Sequence, residues 1–431
     1  MRAEKPREIA ARVLQRHGHG SDWLDALVEE EVAGAALAPA DRALVQELTF
    51  GVVRWQATLD WLIARKTQGR TQKAGLQDLL RLGLYQIFWL DRIPAHAAVH
   101  ETVEQAKQNG FGPQAGLINA VLRGCLREFD ATKKQLADLK TTQPALGWSH
   151  PEWLVERWRN QFGEERTRRL LEWNNTPPKT FVRVNTLKTT AEKLLPQWRD
   201  ENVDYDFFTR DWTGENLVFE LRAYPSLLSL KSFRDGGFYV QDPSTLLAVR
   251  ELDPQPCESV LDLCAAPGGK TMFIAQLMRN EGRVVAYDTS PERLKLVQGN
   301  CARLGVTCVE AVSTPRSALR TPHFDKVLVD APCSNTGVLR RRVDLRWRLK
   351  PEEIARLRGE QLALLQHAAP RVKPGGILVY STCSLESEEN SEAVKEFLNA
   401  NQQFRLGHQR ELLPFADNVD GAFVARLERL P

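Results

Sequence analysis

Paired cysteines, long apolar runs and net charge are all scarce in this chain of 431 residues. No apolar stretch approaches the roughly 20 residues that a membrane-spanning helix needs, so no membrane association is expected. The N-terminus is charged from Arg2 to Arg7 and no apolar segment follows, which argues against a secretory leader and for a cytoplasmic protein. Seven cysteines are an odd number, and they include no Cys-x-x-Cys pair and no Cys/His cluster at zinc spacing. A disulfide framework and a bound metal are therefore not expected. A reduced protein that uses one or two thiols chemically fits better. The net charge of +3 is too small to announce a polyanion partner. Internal repeats and low-complexity tracts are absent. Oligomerisation leaves no signal, so a monomer is the default.

With 42% hydrophobic and 26% charged residues, the chain has the composition of a globular protein long enough for two or three domains. Residues 1–140 are expected to be all-helical: Leu76, Leu80, Gly83, Leu84 and Ile87 recur at helical spacing. Ala10–Leu14, Arg42–Val53 and Val99–Lys107 are further amphipathic candidates, and the polar stretch Asp138–Pro144 is expected to be a linker. A small α+β domain is expected over 148–235. Its helix starts around Ser149, Pro151 and Glu152, and its strands lie near Phe181–Asn185, Asp204–Phe208 and Leu217–Glu220, with a helix over Thr190–Asp200. This segment is neutral, with 14 basic and 14 acidic residues over 149–235. From 236 to 431 strand and helix alternate, the sign of an α/β fold with a doubly wound parallel sheet. Strands are expected at Ser259–Leu263, Arg283–Tyr287, Thr307–Ala311, Lys326–Val329 and Gly376–Tyr380, with a closing strand at Gly421–Leu427.

In such sheets ligands sit at the carboxyl ends of the strands. Cys264, Ala265, Ala266, Pro267, Gly268, Gly269 and Lys270 follow the first strand and precede a helix, so backbone can approach a ligand there. Twenty positions after Gly268, Asp288 ends the second strand, where a carboxylate can take the two hydroxyls of a ribose. The turn lacks the Gly-x-Gly-x-x-Gly pattern of dinucleotide sites, and Ala-Pro before the glycines suits a nucleoside cofactor without pyrophosphate. S-adenosylmethionine meets that requirement. Arg293, in the next helix, is grouped with these contacts.

Two cysteines close strand motifs in the same sheet: Cys333 in Asp330-Ala-Pro-Cys-Ser334 and Cys383 in Ser381-Thr-Cys-Ser384. Two thiols facing one cofactor suit methylation of a pyrimidine carbon that is not itself nucleophilic. A thiolate adding to C6 of cytosine activates C5, and a base must afterwards remove the C5 proton. Such chemistry asks for a nucleophile, a base and a group on the N3 edge, and Cys383, Cys333 and Asp330 supply the three. Cys125, Cys257, Cys301 and Cys308 are expected to be packing residues. From Cys333 to Lys350 inclusive there are six basic residues and one acid. Arg340, Arg341, Arg342 and Arg346 of this run are expected to contact RNA phosphates beside the chemistry.

These motifs resemble the RNA 5-cytosine methyltransferases of the Fmu/RsmB/Sun family. The likeness extends to Pro94–Glu101 and Gly116–Arg123, similar to a NusB-like RNA-binding domain, and to Ser149–Arg157, Arg183–Asn185 and Val240–Ser244. It implies a Rossmann-like, class I S-adenosylmethionine-dependent catalytic domain behind a NusB-like domain and a small α+β domain. It also implies Cys383 as nucleophile, Cys333 as the residue assisting release, and Lys270 bridging toward Asp330. The implied substrate is 16S ribosomal RNA, at a cytosine in a hairpin loop near the P site. One departure stands out. Where the family usually has an acid after its third strand, this chain has Val312 or Ser313, within Glu310–Thr314, so either the cofactor is expected to bind less tightly or Glu310 or Ser313 is expected to serve instead. A transfer-RNA cytosine methyltransferase, and an assembly factor with an inactive catalytic half, are the competing readings.

Overall fold

The computed structural model describes residues 5–35, 37–313 and 323–431. The chain forms two compact units. One comprises residues 1–176 together with the ten residues 339–348, and the other comprises 177–338 and 349–431.

The first unit is helical, as its periodicity leads one to expect. Its hub is the helix Ala74–Trp89, which buries Leu76, Leu79, Leu80, Leu82, Leu84, Tyr85, Ile87 and Phe88. A helix apolar around most of its circumference has to be wrapped by others. Pro6–His19, Pro39–Arg54, Gln56–Thr67, Ala95–Gln108 and Ala115–Arg127 pack against it. The expected linker at 138–144 is instead helical: Phe129–Thr142 runs through it, with Thr132 and Leu139 buried. Pro144 then opens the short helix Pro144–Gly147 at a position where its missing N–H costs nothing. Helices Glu152–Phe162 and Glu164–Asn174 also belong to this unit.

The second unit contains two sheets. Strands β1 (Thr180–Val184), β2 (Asp204–Phe208), β3 (Val218–Ala223) and β4 (Phe238–Val240) form an antiparallel sheet in the order β2-β3-β1-β4. Strands β5 (Ser259–Asp262), β6 (Arg283–Tyr287), β7 (Val309–Val312), β8 (Phe324–Asp330), β9 (Val372–Thr382), β10 (Phe404–Leu412) and β11 (Ala422–Arg429) form the large sheet in the order β10-β11-β9-β8-β5-β6-β7. Strands β5 to β9 are parallel, and β11 and β10 are added antiparallel at one edge. Trp198, Phe219 and Phe238 of the small sheet region share one core with Leu246, Phe273 and Val379 of the large one. The chain runs outward through β5, β6 and β7 and returns to β8 on the other side of β5. That reversal makes the carboxyl ends of β5 and β8 the switch point at which such folds bind ligands.

Candidate active site

The three loops leaving β5, β8 and β9 carry the residues singled out above. Strand β8 ends in Asp330 and strand β9 ends at Thr382, so parallel pairing of Asp330 with Ser381 delivers both cysteine loops to one edge. Cys333 Sγ and Cys383 Sγ lie 3.3 Å apart. Gly337 lets the loops meet: a Cβ there would stand 2.7 Å from the Cys383 carbonyl oxygen, to which the Gly337 N–H instead comes close enough to donate at 2.9 Å. Asp330 faces the same place. Its Oδ2 accepts from Lys270 Nζ at 2.7 Å and its Oδ1 accepts from Ser381 Oγ at 3.1 Å.

Burial by itself works against the Lys270 ammonium, but the Asp330 carboxylate outweighs it and raises the Lys270 pKa above the ordinary value. The two thiols differ. The hydrogen bond to Cys383, together with burial, pushes Cys333 well above the usual thiol range, so Cys333 is held protonated. Cys383 is half-exposed and donates to Asn335 Oδ1 at 3.0 Å. Asn335 has φ of 57° and its Nδ2 donates to the Cys333 carbonyl at 2.6 Å. This one carboxamide therefore touches both cysteines.

Behind them lies a buried carboxylate that sequence reasoning passed over. Glu389 is 0% exposed. Its Oε1 accepts from Ser334 N and Gln361 Nε2, each at 2.9 Å, and its Oε2 accepts from the hydroxyls of Ser334 and Ser384. Since Ser334 follows Cys333 and Ser384 follows Cys383, Glu389 fastens the two cysteine loops together from below.

The cofactor side is built from the ends of β5 and β6. Gly268 adopts φ of 107°, a conformation that favours glycine, at the start of helix Gly269–Leu277. Asp288 is 5% exposed; its Oδ2 accepts from Ala266 N at 3.2 Å and its Oδ1 from Ser290 N at 3.0 Å. Arg293 donates to the Ala266 carbonyl and lies 3.5 Å from Asp288, tying the turn to the next helix. Asp262, at the end of β5, was not foreseen. It is 1% exposed, Oδ2 accepts from Thr271 Oγ1 at 2.7 Å, and Oδ1 is buried without a hydrogen bond of ordinary geometry. Burial, with some help from the Asp330 charge, raises its carboxyl pKa to about 7. A buried carboxylate with only the Cys264 backbone beside its Oδ1 fits the ammonium of an amino-acid-bearing nucleoside, so the residues present fit S-adenosylmethionine. Ser313 is exposed at the carboxyl end of β7, whereas Glu310 is spent on Arg283 at 2.7 Å. Thr314 lies outside the described residues.

Residues 249–428 match the family described as 16S rRNA methyltransferase RsmB/F. Residues 4–127 match the NusB family, and 150–209 match the ferredoxin-like domain of RsmF/B-like methyltransferases. A Bacillus subtilis (strain 168) protein named Probable ribosomal RNA small subunit methyltransferase B is 36% identical over 94% of this chain and 90% of its own length. The chain belongs to the RsmB/F methyltransferase family. Ribosomal RNA small subunit methyltransferase B of Serratia proteamaculans (strain 568) is 35% identical over 91% of this chain and 92% of its own. Among solved structures, NSun6 from Pyrococcus horikoshii with SFG is 26% identical, covering 65% of this chain and 98% of its own, with a TM-score of 0.57.

For this RsmB/F methyltransferase the basic run after Cys333 calls for a correction. Arg340 and Arg346 are 2% and 0% exposed, inside the helical unit. Arg346 donates to the carbonyls of Ser149 and Asn174, each at 3.1 Å, and to Asn175 Oδ1 at 2.9 Å. The Arg340 guanidinium stacks 4.1 Å over Trp173. Backbone carbonyls and an indole occupy these two cations, so they are not offered to phosphate. Arg341 is half-buried, and Arg342 is exposed.

Proposed function

We propose that this enzyme methylates C5 of a cytosine in 16S ribosomal RNA, with S-adenosylmethionine as donor, through a covalent bond from Cys383 to C6. The observation that carries the reading is the pair of sulfurs 3.3 Å apart beside Asp330 and Lys270. S-adenosylmethionine supplies an electrophilic methyl when bound; Asp262, the 264–269 turn, Asp288 and Arg293 would hold it. The solved relative with SFG, an analogue of that donor, supports the same assignment.

Asp330, oriented by Lys270 and Ser381, holds the N3 edge of the base. Cys383 adds as thiolate to C6, and the C5=C6 electron pair moves to C5, which takes the methyl. Release requires loss of the C5 proton and cleavage of the S–C6 bond. Cys333 is held as a thiol in contact with Cys383, so it can hand its proton to the departing sulfur and recover one from C5, ending as it began. Cys383 is half-exposed where Cys333 is buried, which favours Cys383 as nucleophile, an assignment that strand position alone leaves open. The helical half, similar to the NusB family, would supply affinity for the RNA.

The two cysteines should fail differently. Incubated with labelled donor and deproteinised 16S RNA, Cys383→Ala should give neither methylated RNA nor adduct. Cys333→Ala should accumulate a methylated protein–RNA species that survives SDS. An adduct with Cys383→Ala instead would exchange the roles. Full turnover in both variants would refute covalent catalysis. Methylation of transfer RNA with none of 16S RNA would move the substrate assignment.

A further inference from the structure

Away from the cysteines, the helical unit carries a small cleft that neither the chemistry nor the family match explains. It has a volume of about 190 Å³. Pockets for drug-sized ligands and whole cofactors run to ~300–1,000 Å³, so this one has room for a single ring system. Its floor and wall are aromatic: Trp55 and Trp89 have ring centroids 5.1 Å apart, and Phe88 sits at 6.3 Å from Trp89. Helix Phe129–Thr142 forms the other side with Lys133, Leu136, Ala137 and Lys140. These positions recur at three and four residues, so they share one helix face. Gly147 completes the cleft, and only glycine fits there, because a Cβ would lie 2.4 Å from the Lys140 amide nitrogen.

The charge at this cleft decides what can enter. The Lys140 ammonium lies 4.2 Å over the Trp148 ring and 5.6 Å over Trp55, and Lys133 lies 4.8 Å over Phe129. Among the described residues neither lysine is within ion-pair distance of a carboxylate, and Glu172 is the one acid whose charge acts on Lys140. A cationic guest, such as a methylated ammonium, would face two ammoniums already holding the ring faces. An anionic chain carrying flat rings meets the opposite situation. Aromatic platforms flanked by cations are how single-stranded nucleic acid is held without sequence preference, stacked base by base. Burial lowers the Lys140 pKa, and a phosphate nearby would favour its charged form again.

We propose that this cleft takes one unstacked base of single-stranded RNA, with Trp89 as the stacking face and Lys133 and Lys140 on the flanking phosphates. The proposal rests on the reading that RNA is the substrate and adds where, outside the active site, it is gripped. It is tested with the full chain and a fluorescein-labelled single-stranded ribo-oligomer of mixed sequence, alongside the matching duplex. Trp89→Ala should weaken binding of the single strand by about 5- to 100-fold, Trp89→Phe should restore most of it, and the duplex should be affected less. Lys133 is exposed, so Lys133→Glu leaves the fold intact. It should weaken binding several-fold and flatten the salt dependence by about 0.7 in log–log slope. Wild-type affinity in both Trp89→Ala and Lys133→Glu overturns the proposal and leaves the cleft to a protein partner or to ordinary packing. If those variants lose oligomer affinity while wild type methylates no 16S RNA, the cleft stands and the enzymatic reading falls. If wild type methylates 16S RNA and both variants bind like wild type, the reverse holds.

Discussion

Asp262 shows how one buried carboxyl can make stability depend on pH. Its carboxyl is buried, and burial outweighs the nearby Lys270 charge and raises its pKa to about 7. Because the folded pKa lies above the unfolded one, the proton is held by the folded state. The associated stability is fully present below the unfolded carboxylate pKa and is lost as pH rises through about 7. Asp262→Asn removes the ionisation while keeping the shape. The ligand-free variant should therefore gain on the wild type as pH rises from 5 to 7, by at most ~1.4 kcal/mol per pH unit, and should hold a constant lead above that. Urea unfolding across pH 5–8 measures it. Parallel curves would mean that Asp262 is already ionised in the folded protein. At this scale the cysteines were legible because each ends an apolar strand, which places a thiol at the ligand edge of the sheet. Asp262 ends such a strand too and carried the same signal. Asn335 carried none: its role depends on a positive φ that brings one carboxamide to the Cys383 sulfur and the Cys333 carbonyl.

The loops after β8 and β9 are short elements whose separation matters more than their individual shapes, and Glu389 sets that separation. In sequence it sits in Glu386-Ser-Glu-Glu-Asn390, a run that reads as a solvated charged surface. In the fold Glu386 and Glu389 are both 0% exposed. Which acid of a cluster turns inward is decided by the hydroxyls that the neighbouring loop presents, and a one-dimensional pattern does not contain that. Glu389→Gln keeps the volume but loses one of the acceptor oxygens shared by Ser334 and Ser384. Reacting groups displaced by as little as an ångström can cost about 10²-fold. The variant should lose 10- to 100-fold in kcat with little change in KM for the methyl donor. An unchanged kcat would show that the cysteine loops hold their spacing without it. Elsewhere, strand β6 lies where the sequence puts it, because Val284–Tyr287 form a short apolar run that is buried throughout. Strand β10 was not legible. It is an edge strand with exposed Arg405, Leu406, Gly407, His408 and Gln409, so its pattern lacks the alternation that burial on one face imposes.

For the molecule as a whole, the basic run at 339–348 matters for how the helical unit holds together. Arg346 is buried there and fills four acceptor atoms, those of Arg54, Ser149, Asn174 and Asn175. Replacing it by Ala leaves those oxygens unsatisfied and a cavity behind. Arg346→Ala should cost about 2–4 kcal/mol in urea unfolding, whereas exposed Arg342→Ala should stay within about 0.5 kcal/mol. Equal stability of the two variants would return Arg346 to the surface role first expected of it. Composition could not separate these arginines, because a cation spent on backbone carbonyls and one offered to solvent look alike in a charge count.

The same ten residues bear on how the protein is made. A ribosome releases the chain from its N-terminus, and domains commonly fold in that order as they emerge. Here the first unit lacks part of its interior until residue 348 has been synthesised, since Leu339, Val343, Leu345 and Arg346 are among its buried side chains. Helices complete by residue 176 must wait for more than 160 further residues before their last apolar surface is covered. The two units are therefore expected to mature late and nearly together. A fragment that stops anywhere before 339 should be a client for chaperones.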